Sequence, residues 1–255
     1  MTVDRWTQVV RHQLGLGRLL PLGLPRDGAW ITEGAAESVL RRAAEPVRGV
    51  RLGVLRIALA DPDEVDDPAV PPPPSALPPG PLRISAEFAA RTDPTAPGIE
   101  PLPTTAARLR LTLAAAATER LGLSVTEVDL RVTGLLEEDE PSAAVGPDEV
   151  REPSAAVRTD EVREAAVPTD PEEARVATAA LSVPGVTHLT DVLGRPVHIT
   201  EVTGEEATLP RRHVRVELAV SAHERTVDVA RAVRAAVMEA LTDTPSVAVL
   251  VTAVH

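Results

Sequence analysis

The sequence predicts an α+β protein: two similar small domains, each with helices packed on one small, mainly antiparallel sheet, joined by a disordered acidic linker. Three observations predict it. Apolar residues recur with period two in some segments and at helical spacing in others, in the order helix, strand or hairpin, strand, helix, strand. That order occurs twice, and short phrases recur with it: "EPVRGV" at 45–50 matches "LSVPGV" at 181–186, and "LRISAEF" at 82–88 matches "VRVELAV" at 214–220. Between the copies, "PSAAVGPDEVRE" from Pro141 is followed at once by "PSAAVRTDEVRE" from Pro153. So charged a stretch, with few large apolar residues, cannot bury enough surface to fold alone. The expected organisation is an N-terminal amphipathic segment at 1–29, a first unit at 30–136 with a proline-rich insertion at 61–81, a linker at 137–168 and a second unit at 169–255.

In chain order, Trp6, Val9, Val10 and Leu14 share a helical stripe, which predicts a short amphipathic helix ending near Gly15. Thr32 is placed to cap a second helix bearing Ala35, Val39, Ala43 and Val47, with Gly49 to end it. Leu55, Ile57 and Leu59 alternate as a strand. Nine prolines between Pro62 and Pro81 follow. Proline lacks the amide donor of a sheet ladder, so an extended, solvated excursion is expected there. Leu82, Ile84, Ala86 and Phe88 alternate with polar residues as a strand with one wet face. A helix over about 104–121, stopped by Gly122, and a strand through Val128, Leu130 and Val132 complete the first unit. The second opens on Thr169 or Asp170 as cap, with Pro171 in the first turn and Glu172 and Glu173 at the positive helix end. A hairpin over "GVTHLTDVLGRPVHITEV", a strand at 214–220, a helix over about 226–241 and a strand at 247–251 follow.

Composition narrows the chemistry. The chain has no cysteine, and all 26 basic residues are arginine. Disulfides, thiolate metal sites, a Schiff-base lysine and a P-loop lysine are therefore excluded. The net charge is −12, but residues 137–173 hold 13 acids against Arg151, Arg158 and Arg163, a balance of −10, leaving −2 for the rest. No basic face suggests nucleic acid, and Trp6, Trp30 and Phe88 are too few aromatics for a stacking platform. No window reaches the roughly 18 apolar residues of a membrane span. Asp4, Arg11, His12 and Arg18 interrupt any signal-peptide core, so a cytoplasmic protein is expected.

Catalytic vocabulary is missing. "GLGRLL" at Gly15 begins like a dinucleotide turn, but Leu20 stands where the third glycine belongs. His213 and His223 bracket one strand, about 30 Å apart when extended, and cannot share an ion. His188 and His198 could face each other across the hairpin, but two ligands without a third make no zinc site. Glu87, Asp129, Glu217 and Asp228 each fit a solvated face. The expectation is no catalytic residue, no metal and no cofactor.

The duplicated unit resembles the alkaline shock protein family, the Gls-type envelope stress response proteins. The residues that carry the resemblance are the helix ending in "VPGV" (183–186), "VRVELAV" (214–220) and "VDVARAVRAAVMEAL" (227–241), with "ITEGAAESVLRRAAEPVRGV" (31–50) and "LGLSVTEVDLRVTG" (121–134) in the first copy. The resemblance implies a non-enzymatic scaffold that binds a protein partner, which is membrane-anchored in some members, at the cytoplasmic face of the membrane. Two fused units could form an internal pseudo-dimer. Two other readings are a nucleic-acid-associated module and a small-molecule binder using the cleft between the units.

Overall fold

A computed structural model describes residues 17–91, 100–136, 164–166, 168–202 and 211–255. The Trp6 stripe and the repeat-bearing part of the linker lie outside the described residues.

The class is α+β, and the sheets are mixed rather than mainly antiparallel. In the first half, α1 (Glu33–Ala44) leads into β3 (Val50–Leu59), β4 (Leu82–Ala90), α2 (Leu102–Ala115) and β5 (Val125–Leu135). β3 and β4 are antiparallel, β4 and β5 parallel, because α2 returns the chain to the start of the sheet before β5 begins. In the second half, α3 (Pro171–Leu181) precedes β6 (Val186–Leu189), β7 (Val197–Val202), β8 (Arg211–Val220), α4 (Thr226–Ala240) and β9 (Ser246–Val254). β8 runs antiparallel to β6 and β7 and parallel to β9. The two halves thus share one set of strand directions, with β6 and β7 together in the place that β3 takes in the first half.

Local signals hold where their chemistry is local. Thr32 Oγ1 accepts the Ala35 amide at 3.2 Å, and the Asp170 carboxylate accepts those of Glu172 and Glu173 at 2.9 and 3.1 Å. Helix α2 continues as one π-helical turn, Ala116–Leu121, and stops at Gly122 with φ of 87°. Along β4 the odd face (Arg83, Ser85, Glu87) is wetter than the even one (Ile84, Ala86, Phe88), which is buried.

The predicted hairpin does not form. β6 and β7 do not pair with each other; both lie along the same edge of β8, end to end. The strand match also shifts. Val50 pairs with Ala90 and Val186 with Val220, so 82–88 corresponds to 212–218, two residues from the match read in sequence. A slip of two residues preserves the faces of a strand, which is why the alternation tolerated it.

The boundary placed at Trp30 falls inside a strand. β1 (Leu19–Pro21) and β2 (Ala29–Thr32) form an antiparallel pair, and β2 adds in parallel to β9, on the sheet of the second half. That sheet runs β1-β2-β9-β8, with β6 and β7 completing its far edge. Thr32 caps α1 while its hydroxyl donates to Thr252 O at 3.1 Å, so the first helix starts from the second sheet. Buried residues from all four helices and both sheets then form one continuous core, Val39, Leu109, Val176 and Val233 among them. The linker rejoins the fold by Ala165, whose amide donates to Leu189 O at 2.8 Å.

The proline-rich insertion is solvated over most of its length, as expected, but is pinned to the second sheet at a few points. Its Leu77 amide donates to Leu19 O at 2.8 Å, its Ala69 amide donates to Pro25 O at 3.1 Å, and Trp30 Nε1 donates to Leu77 O at 3.4 Å. Val70, 3% exposed, joins Leu19, Trp30, Ala248 and Leu250 in a second small core on the outer side of that sheet. Trimming Val70 to alanine is expected to cost about 2 kcal/mol in a urea titration. An unchanged midpoint would mean that the insertion does not pack.

Candidate functional site

An unfilled sheet edge is the feature that distinguishes the halves. Strand β9, the last of its half, is flanked by β8 and by β2, with Ala29 opposite Val249 and Ile31 opposite Val251. Its inward residues Val247, Val249 and Val251 are fully buried. The corresponding strand β5 has β4 on one side and, among the described residues, no strand on the other. Its eleven residues run along that edge. Val128 and Leu130 are only partly buried against the core, Val132 is 39% exposed and Leu135 65%. At this edge Arg110 Nε donates to Val128 O at 3.0 Å.

The edges of β3, β1 and β6 are met at points along them, as Arg110 meets β5, while β7 has β8 alone beside it among the described residues. β3 receives Arg41 Nη2 on Gly53 O at 2.7 Å and Arg18 Nη2 on Ile57 O at 3.0 Å, and its Ile57 amide donates to Glu33 Oε1 at 3.1 Å. β1 is covered by Leu77 and β6 by Ala165. Plugs and covers of this kind keep a sheet from pairing with other chains. The outer face of the first sheet is polar, with Arg83 and Glu127 at 3.6 Å and Arg131 and Glu87 at 3.9 Å across it. Exposed pairs such as these contribute little stability, and they give the face a mixed-charge surface.

Among the described residues the histidines lie apart from one another, save one stacked pair. His188 stacks on His255, with ring centroids 5.7 Å apart, while His198 lies opposite Arg215 on the neighbouring strand. His213 Nδ1 is 2.9 Å from Ser246 Oγ. Burial, then the Arg215 charge, holds both His198 and His213 below the usual imidazole range. Among the described residues no group of three or more histidine or acidic side chains is placed to hold an ion.

Glu217 corrects the sequence reading. It faces the outer side of the second sheet, as alternation requires, yet it is fully buried. The loop after β6 folds over it, and its Oε2 accepts the Leu193 amide at 2.8 Å. Oε1 lies 3.1 Å from Arg215 Nη2. Burial pushes its carboxyl up to about 7, against the Leu193 amide and the Arg215 charge, which pull it down. The sequence held no sign of this, because the cover comes from 24 residues away along the chain.

The junction between the halves offers little room. The hollow between Val39, Leu121, Ala222 and Val254 encloses about 50 Å³, well below the roughly 300 Å³ at which small-molecule pockets begin. Among the described residues no helix is long and apolar enough to cross a membrane. No protein-family model, no curated protein and no solved structure matches the chain.

Proposed function

We propose that this chain is a non-enzymatic docking scaffold of the alkaline-shock and envelope-stress-response type, taking an extended strand of a protein partner against β5. The single observation that carries the reading is that no strand among the described residues lies beyond β5, whereas β2 fills the equivalent edge of β9. Added strands gain affinity from main-chain hydrogen bonds and specificity from alternate side chains. At β5 those side chains would cover Val132 and Leu135, which the rest of the chain leaves exposed. We read the repeated order of elements as an old duplication in which one copy kept its edge free while the other closed its edge with the chain's own β2. The family resemblance supports a partner at the cytoplasmic face of the membrane, membrane-anchored as in some members of that family.

The test is a photo-crosslinker at Val132 in the full chain, expressed in its host, with the captured peptide mapped by mass spectrometry. The expected result is one extended, alternating segment of a single partner. Capture should fall at least about tenfold when Leu135 is changed to arginine, since burying an unpaired charge at the edge is costly. Capture that the arginine leaves unchanged, or that scatters over many unrelated peptides, would sink the reading.

A further inference from the structure

We infer that a second copy of this chain guards the β5 edge, the two β5 strands pairing antiparallel about a two-fold axis at Leu130. The pairing joins two three-stranded sheets into one of six strands, and a docking strand enters by displacing it. That displacement rests on β5 being the docking edge, as proposed above; the pairing itself does not.

The main chain of β5 is laid out for such a pairing. Irregularities fall between Val125 and Glu127 and between Val132 and Gly134, which leaves 127–132 in step with β4. Ser124 O accepts the Leu82 amide at 2.7 Å, toward β4, and the extra residue of the first irregularity reverses the alternation. Val128 O is accordingly on the outer side, where Arg110 Nε meets it at 3.0 Å. Arg110 is exposed, so its side chain can swing aside. Leu130 and Val132 share the orientation of Val128, since alternate residues of a strand turn their main-chain groups to one side. A second β5 offers the same three residues. Centred on Leu130, the pair sets Leu130 against Leu130 and Val128 against Val132 of the second copy.

Charge selects that centre. The outer face of the run carries Glu127, Asp129 and Arg131. Centred on Asp129, the pairing would set Asp129 against its own copy. Centred on Arg131, it would do the same to Arg131. Like charges directly opposite are destabilising. Centred on Leu130, each Asp129 meets an Arg131, twice by symmetry, and each apolar residue of the run meets an apolar one. Arg131 is 81% exposed and its pair with Glu87 is 3.9 Å long, so it is available to a second copy. The same surface patch serves on both sides, so the assembly closes at two copies.

The second half is an internal contrast. Strand β9 carries no charge from Ser246 to Val254, so nothing on it would choose a register, and β2 occupies its edge. Five paired residues make a small interface, of the transient class. That suits an edge that opens to a docking strand.

The experiment is sedimentation velocity of the full chain at low ionic strength, at concentrations up to the high micromolar. Wild type, Asp129→Arg, Arg131→Asp and the double exchange are compared. The wild type should pass reversibly from monomer to dimer and go no further. Each single reversal turns two attractive pairs into two repulsive ones and should weaken the dimer at least about tenfold. The double exchange restores both pairs and should recover the dimer. Both positions are exposed, so all four proteins should unfold near the wild-type temperature. A wild type that stays monomeric would overturn the pairing. So would a dimer that the single reversals leave intact, or one that the double exchange fails to restore. A monomeric wild type leaves partner capture at Val132 untouched as a result, and failed capture leaves the dimer standing, so the two readings fail separately.

Discussion

Gly122→Ala is expected to destabilise the whole protein by about 3 kcal/mol and to keep its unfolding a single transition. Two costs combine. Gly122 has φ of 87°, where an L-residue is strained by about 1–2 kcal/mol. The added methyl group would also overlap the side chain of Val227, at the start of α4, and overpacking of this kind costs about 1–3 kcal/mol. The position matters because it joins the halves. Gly122 O accepts the Gly23 amide at 3.1 Å, and Arg225 Nη2 donates to Thr118 O at 3.1 Å one turn away. Arg42 Nη2 donates to Val254 O at 2.6 Å, and Arg231 pairs with the buried Asp27 at 2.8 Å. A second change, Val227→Ala, should recover the packing part and leave the backbone part, so the two substitutions should couple favourably by about 1–2 kcal/mol. Urea titrations of the four proteins measure this. A loss below about 1 kcal/mol for Gly122→Ala, or two separate transitions in the wild type, would mean that the halves fold independently.

Glu217→Gln is expected to change how stability depends on pH. The folded carboxyl titrates at about 7, above the 4.5 of an ordinary glutamate. The folded state therefore holds a proton that the unfolded state releases. The stability this contributes is fully present below pH 4.5 and is lost as pH rises through 7, a change on the order of 3 kcal/mol. His198 and His213 act in the opposite sense. Their folded values lie below 6.5, so their contribution is present above 6.5 and lost as pH falls. Glutamine keeps an acceptor for the Leu193 amide and carries no charge to bury. The variant should match the wild type near pH 4.5 and exceed it above pH 8, and only the histidine rise should remain in its profile. Urea midpoints at pH 4.5, 6 and 8.5 give the comparison. A constant difference between the two proteins at all three would rule out a raised carboxyl.

Period and capping chemistry are local, and so the sequence showed them. The stripe Val229, Val233, Val237 of α4, the alternation of β4 and β8, and the caps at Thr32 and Asp170 depend on residues within a turn or two of one another. The repeated order of elements was legible for the same reason, since each half writes the same local pattern. The open edge of β5 was not. β5 alternates with Glu127, Asp129 and Arg131 where β9 is apolar throughout, but neither pattern states which strand lies alongside.

What only the tertiary structure decided came from pairings remote in sequence. Four residues at Ala29–Thr32 contain no signal for their partner; they join β9, more than 200 residues on, because its buried valines lack a neighbour there. The proline-rich stretch lacks donors at nine positions, yet amides at Ala69 and Leu77 suffice to strap it down, and Val70 and Trp30 supply the apolar contact. Glu217 alternates as a solvated residue and is buried because a loop crosses it. By itself the sequence determined the helices and the longer alternating strands and which faces they turn inward, but not β1 and β2. Which strand meets which edge, and which outward face stays dry, depends on the cover that distant segments provide, and no local pattern encodes that.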